Sequence, residues 1–536
     1  MNVHHSKQTT VRRGTAIAAL LLLAAAAVLV PASGMAQSQQ IKNVIVIYQE
    51  NWSFDSLYGR FPGANGIDNA SALSLTQLDR LTGQPYTSQL GQPFDLVSGS
   101  ATLTTPPQPL NGGKIDTRFP ANFDTLTPFD VVSDAGLQTS DKTGDIVHRY
   151  WHEQSQINHG AMNKFVTWSD NPGLVMSYFD ATSLPEGLLA QQYTLCDNFF
   201  HASFGGSFLN HQFLIAAAPP VYPHAPASMQ ATLDASGELA LDPTTGKIVH
   251  DGNITPIGGQ SFILPSRKFE KNYAVNTIFS ANLTPINTSP TSAALLPSQN
   301  DSNPKDKTRP YIPTIGDKLS AKNVSWKWYS GGWDDALISS PSNPANNGQT
   351  PPNPPVDPLF QWHHQPFAYY DNYAPWVNGQ VNPVSAAHLQ DEKNFFADVQ
   401  NGALPSVSFI KPIGEDNEHP GYADLLRGQQ HVADIVAAVQ ASPYWSQTLI
   451  VVTYDEHGGR WDHVPPPVKG LWGDGSRVPA IVIGPFAKPG YIDHQAHDTL
   501  SILKTIEKIY GLSPLNDYDS AANTLGSALT HGINPK

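Results

Sequence analysis

Apolar positions in this chain fall in short unbroken runs separated by long polar stretches. Asn43-Val44-Ile45-Val46-Ile47-Tyr48 and Thr448-Leu449-Ile450-Val451-Val452-Thr453-Tyr454 are β-branched and apolar on both parities, the pattern of strands covered on both faces. Runs at 324–329, 404–410 and 478–483 read as further strands. Helical segments are expected at 185–193, 387–400, 429–441 and 499–510, the last capped by Asp498, and around 145–165 with a loop at 158–160. This alternation predicts an α/β fold, a mostly parallel central sheet with helices on both faces. The stretches 62–140 and 219–360 are rich in Pro, Gly, Ser, Thr and Asn and lack either period. They read as loop and small β insertions in one domain running from 37 to 536.

The first 36 residues read differently. Lys7, Arg12 and Arg13 precede an uncharged run from Gly14 to Val30, then Pro31 and small residues up to Met35-Ala36. That is the layout of a cleaved signal peptide, so the expected location is periplasmic or secreted, with no stable membrane insertion afterwards. The arginine pair also fits a twin-arginine route. Cleavage removes three of the 31 basic residues and none of the 45 acidic ones, leaving 28 against 45 and a formal charge of −17. So acidic a chain offers no counterion release to nucleic acid and no attraction to anionic membranes. Its single cysteine, Cys196, excludes an intramolecular disulfide. Oligomeric state is not readable.

Candidate chemistry sits at the strand ends. The first run closes on Glu50-Asn51 and the other on Asp455-Glu456, and in parallel sheets ligands gather beyond the carboxyl ends of strands. If the two strands are neighbours, these four side chains form an oxygen-only set suited to one hard divalent cation of unassigned identity; solvated acidic turns are the plain alternative. Ser207 follows Gly205-Gly206 and opens an apolar run, so it stands where a helix N-cap belongs. It reads either as a cap or as a hydroxyl beside free N–H groups able to hold a phosphate, made nucleophilic by a nearby metal. His148, His152, His159 and the pair His363-His364 are each, alone, ordinary polar residues.

Taken together, Gln49-Glu50-Asn51-Trp52-Ser53-Phe54-Asp55, the stretch Asn198 to His211 containing Phe204-Gly205-Gly206-Ser207-Phe208-Leu209-Asn210-His211, Asn417-Glu418-His419-Pro420, and Tyr454-Asp455-Glu456-His457-Gly458-Gly459 resemble the phosphoesterase family of bacterial acid phosphatases and phospholipases C. The resemblance implies an alkaline phosphatase-like fold. It implies Glu50, Asn51, Asp455 and Glu456 as metal ligands, Ser207 as the phosphorylated nucleophile, and His159, His363, His364 and His419 as the phosphate-binding and proton-transfer set. Trp52 stands where the phospholipase branch typically has Arg, and Ser207 where that branch has Thr, so the acid phosphatase branch is the better match. The expected activity is hydrolysis of small-molecule phosphate monoesters through a phosphoserine. A phospholipase C or other phosphodiesterase, and a serine carboxylesterase, are the alternatives. Lys and Arg are sparse in these blocks, so positive charge is expected from the metal and the histidines, giving an optimum at about pH 5 to 6.5.

Overall fold

A computed structural model describes residues 40–86, 107–121, 123–222, 225–256, 272–278, 296–300, 311–348 and 357–533. The expected signal peptide lies outside the described residues, as do parts of both expected insertions. Eight strands form the central sheet: β1 Asn43–Gln49, β2 Thr194–Cys196, β3 Trp326–Ser330, β4 Leu389–Asp391, β5 Val407–Lys411, β6 Thr448–Tyr454, β7 Ala480–Ile483 and β8 Tyr491–Asp493. Their order is β4-β3-β5-β1-β6-β7-β2-β8. From β4 to β6 all neighbours are parallel, whereas β7 runs antiparallel to both β6 and β2.

Every residue of β1 and β6 is buried. Successive strand side chains leave opposite faces, so both faces of these strands are covered. The helices that matter for the site are α1 Tyr150–Ile157, α2 Pro185–Gln192, α3 Ser207–Ala216, α4 Lys393–Gln400, α5 Leu425–Gln440 and α6 Thr499–Tyr510. Helices α2 and α5 pack on each other, as do α3 and α6.

Several boundaries differ from the sequence reading. The helix expected over 387–400 is interrupted by β4, an edge strand too short to show a period of its own. Helix α5 starts at Leu425, four residues early, because the Asp424 side chain accepts from Arg427 N and caps a polar first turn. The edge strand β8 and its neighbour β2 have three residues each, below the length at which alternation is legible. Asp498 does cap α6, in a reciprocal arrangement with Ser501.

Candidate active site

Parallel register sets the centre. Gln49 on β1 lies opposite Tyr454 on β6, so the two strands end flush and deliver Glu50-Asn51 and Asp455-Glu456 side by side. The third neighbour, β5, ends on Lys411. All five residues are fully buried. Asn51 takes a left-handed backbone, φ 71°, which Asn tolerates better than most residues.

Glu50 is the hub. Its Oε1 lies 2.5 Å from Lys411 Nζ and 2.7 Å from His364 Nε2, and its Oε2 accepts from Ser207 Oγ at 3.2 Å. Burial would raise its pKa, but Lys411 and His364 outweigh burial and hold it well below the usual carboxylate range. Asp455 feels Lys411 only at a distance, and among the described residues neither it nor Glu456 forms an ion pair with a Lys or Arg. Burial, then Glu50 for Asp455 and Asp455 for Glu456, pushes both well above that range.

Asn51 Oδ1, Asp455 Oδ2 and Glu456 Oε1 are all buried and make no regular hydrogen bond. Three orphaned oxygens at one set of strand ends, two of them carboxylate, are costly without a cation beside them and, with Glu50, fit a hard divalent one. A cluster at this place differs somewhat from the oxygen-only expectation: Glu50, His211 and His364 bring ligand atoms within 4.8 Å of one another. Imidazole nitrogens therefore stand within reach of the same place.

Ser207 is not a cap. Gly206 holds the cap position and Ser207 is the first residue of α3, its hydroxyl turned to Glu50 and to Asp455. The approach demands glycine before it: Gly205 has φ +92°, and a Cβ there would stand 2.6 Å from Tyr150 N.

The histidines divide. His363 and His364 occupy one 3-10 turn, so both rings reach the same cavity, with planes at 84°. His211 stacks on His364 at 5.3 Å and lies 3.8 Å from Asp455 Oδ2. His419 stacks on Tyr422, its Nε2 3.9 Å from Glu50 Oε2. His159 is apart. It is exposed and borders a different cavity of about 620 Å³ with Trp151 and Pro465. In its place stands His148, whose Nε2 is 3.3 Å from Asn51 Nδ2 and 3.6 Å from Glu456 Oε1. Glu50, Ser207, His148, His363, His364 and His419 line one cavity of about 590 Å³.

The sequence reading did not assign three of these residues. His211 ends a quoted motif and His148 opens the aromatic stretch after Asp145, but neither spacing nor residue type ranks one histidine above another. Lys411 directly follows the expected strand 404–410 and is, with Arg427 and Arg460, among the basic residues nearest the blocks by sequence, with nothing local to tie it to Glu50. Its ammonium corrects the expectation that positive charge comes from metal and histidines alone. The acid-side argument also changes, since burial lowers His363 and brings His364 down to about 4, below the pH 5 to 6.5 window expected for them.

Among known proteins, a model described as the phosphoesterase family matches residues 41–513. Non-specific phospholipase C6 of Arabidopsis thaliana is 30% identical over 190 residues, 29% of this chain and 36% of that protein. Non-hemolytic phospholipase C of Pseudomonas aeruginosa is 23% identical over 513 residues, 89% of this chain and 55% of that one. The chain thus spans less than two thirds of the length of either relative. A solved structure of a protein in the alkaline phosphatase superfamily from Vibrio parahaemolyticus overlays with TM-score 0.28 at 10% identity, covering 64% of this chain and 65% of that one. With the family model running through every site-bearing strand end and the Ser207 helix, the chain belongs to the phosphoesterase family.

Proposed function

We propose that this protein is an exported, metal-dependent phosphatase that hydrolyses small phosphate monoesters through a phosphoserine at Ser207. The observation that carries the reading is a buried serine hydroxyl at the first residue of a helix, bonded to Glu50 and beside Asp455 amid three orphaned oxygens, in a histidine-lined cavity. A divalent cation held by Glu50, Asn51, Asp455 and Glu456 would supply Lewis acidity and make the nearby hydroxyl more acidic. The chain's own residues do the rest. Ser207 Oγ attacks phosphorus with its proton passing toward Glu50, and the free N–H groups at the start of α3 face the incoming anion. His148 and His419 stand at the open side of the cavity, placed to protonate the leaving alcohol. Lys411 and His364 fix Glu50 in one orientation. Water then attacks the phosphoserine and releases phosphate.

A phosphodiesterase reading is favoured by one finding, the phospholipase C names of both relatives. A serine carboxylesterase is not favoured: Ser207 Oγ bonds carboxylates, without the imidazole relay such an enzyme uses. Among the described residues no helix is long and apolar enough to cross a membrane. The deciding experiment assays p-nitrophenyl phosphate, its choline diester and p-nitrophenyl acetate side by side, with and without a chelator. Chelator-sensitive turnover of the monoester alone is expected. Preferential turnover of the diester moves the assignment to a phosphodiesterase, and chelator-resistant turnover of the acetate overturns both.

A further inference from the structure

The block Asn417-Glu418-His419-Pro420 contributes His419 to the cavity, yet Glu418 has no part in the chemistry above. Its surroundings give it one. Glu418 Oε1 accepts from Gln49 Nε2 at 3.0 Å, and its Oε2 accepts from Tyr454 Oη at 2.7 Å. Gln49 and Tyr454 are the last residues of β1 and β6, one position before Glu50 and Asp455. The Glu418 carbonyl also accepts from Trp52 Nε1 at 3.0 Å. A second carboxyl converges on the same hydroxyl: Glu186 Oε2, from the first turn of α2, lies 3.2 Å from Tyr454 Oη. Its other oxygen makes no regular hydrogen bond.

Proton counting then decides. Tyr454 has one hydroxyl hydrogen and can serve only one of the two carboxyl groups. Glu186 and Glu418 are 0% and 1% exposed, and among the described residues neither pairs with a Lys, Arg or His. The titratable groups facing them are Tyr58, Tyr454 and each other, and both phenols are held well above their usual range by burial and by these carboxyls. Two bare carboxylates in contact in such a place repel with nothing to offset them. The backbone confirms that the arrangement is forced. Glu418 has φ 73°, a strained conformation for a non-glycine residue, and a Cβ on Gly428 of α5 would stand 2.1 Å from Glu418 Cγ.

We infer that Glu186 and Glu418 share a proton, and that this singly protonated carboxyl pair is a positioning device holding His419 and the ends of β1 and β6 in the reactive geometry. Burial raises Glu186 to about 7, and burial with Glu186 raises Glu418 well above the usual range, so the bridge exists on the acid side of neutrality and is lost as pH rises. Loss of its proton leaves two charges that must separate, and the segments they separate carry Glu50, Asp455 and His419.

The inference rests on the phosphatase reading for its activity arm only. Glu186→Gln replaces the protonated acid by a neutral isostere whose amide can donate to Glu418. At about pH 5 its kcat and KM should match wild type within about twofold, and the variant-to-wild-type ratio of kcat should climb several-fold by about pH 8 with KM unchanged. The Tm of wild type should fall relative to Glu186→Gln over the same range, because a group with a raised folded pKa contributes stability at low pH that is lost as pH rises through that value. Parallel Tm and kcat curves for the two proteins would overturn the inference, as would uniform loss of activity in Glu186→Gln, which would mean that the carboxylate and not the proton is needed. A wild type with no turnover but the expected Tm divergence would sink the phosphatase reading and leave the bridge standing.

Discussion

Glu50→Gln is the substitution that asks most of the site. Among the described residues Glu50 is the sole ion-pair partner of Lys411, an ammonium with no exposed surface. Removing one partner of a buried pair while leaving the other charged typically costs about 3–5 kcal/mol. Asp455, which also feels the Lys411 charge, recovers part of this, so the expected loss is near the low end, about 3 kcal/mol. For a cooperative unit of about 500 residues the unfolding entropy is roughly 1 kcal/mol per degree, so Tm should fall by about 3 °C. Lys411→Met removes the stranded cation. The double variant Glu50→Gln/Lys411→Met should therefore be more stable than Glu50→Gln alone, by at least about 1 kcal/mol of coupling. Both Glu50 variants should lose metal, measured on the purified protein, and at least about 10²-fold in kcat/KM. Strict additivity of the two single variants in urea unfolding, with wild-type metal content in Glu50→Gln, would refute the hub.

Other outcomes follow from the same geometry. Ser207→Ala should abolish phosphatase turnover yet lose less than about 1 kcal/mol, since Gly206 and not Ser207 caps α3; retained turnover would make the serine a bystander. Asp455→Asn should lower bound metal and activity together, and wild-type protein found active without any metal would contradict it. His159→Ala should leave kcat/KM within about twofold of wild type, being exposed on another cavity, and a large loss would place it in the site after all. Below about pH 6.5 the protein should destabilise as acid is added, and more steeply below about pH 4.5, monitored by Tm. There His152, held neutral by burial and brought down to about 3, and Glu153, brought down to about 2 by His201 and His457 against the pull of burial, take up protons more readily unfolded than folded. A flat Tm between about pH 4.5 and 3 would show these shifts to be absent.

The central strands were readable because β1 and β6 are buried on both faces over seven residues each, long enough for an unbroken apolar run to be distinguished from chance. The short strands were not. The edges β4 and β8 and the inner strand β2 have three residues each, and their identity as strands comes from pairing with partners distant in sequence, as Thr194 pairs with Tyr491. The antiparallel turn of β7 leaves no trace in its own composition, since Ala480-Ile481-Val482-Ile483 is equally apolar in either direction. The strand ends were legible as chemistry for the same reason as the strands: two polar pairs directly after two fully apolar runs stand out. Ser207 was legible as a helix start, off by one residue, because glycine and serine are both acceptable caps.

The histidines show where residue type stops informing. His159 and His148 both lie in the aromatic stretch after Asp145, and nothing local distinguishes them. Distinction comes from the end of α1, where Asn158 and His159 turn left-handed and carry His159 outward, while His148, before the helix, is held by its Nδ1 against Ile146 O at 2.6 Å and faces Asn51. Charge was misjudged by the same logic. Counting Lys and Arg along the blocks makes Lys411 only a near neighbour in sequence; it reaches Glu50 because β5 lies beside β1 in the sheet. With Lys411 paired to Glu50, and burial lowering His363 and bringing His364 down to about 4, these rings take up protons at more acid pH than an ordinary histidine. A decline of activity on the alkaline side must then come from a group that loses its proton near neutrality. The Glu186–Glu418 bridge is such a group, and it lies one residue behind Glu50, Asp455 and His419 at each of the segments that carry them.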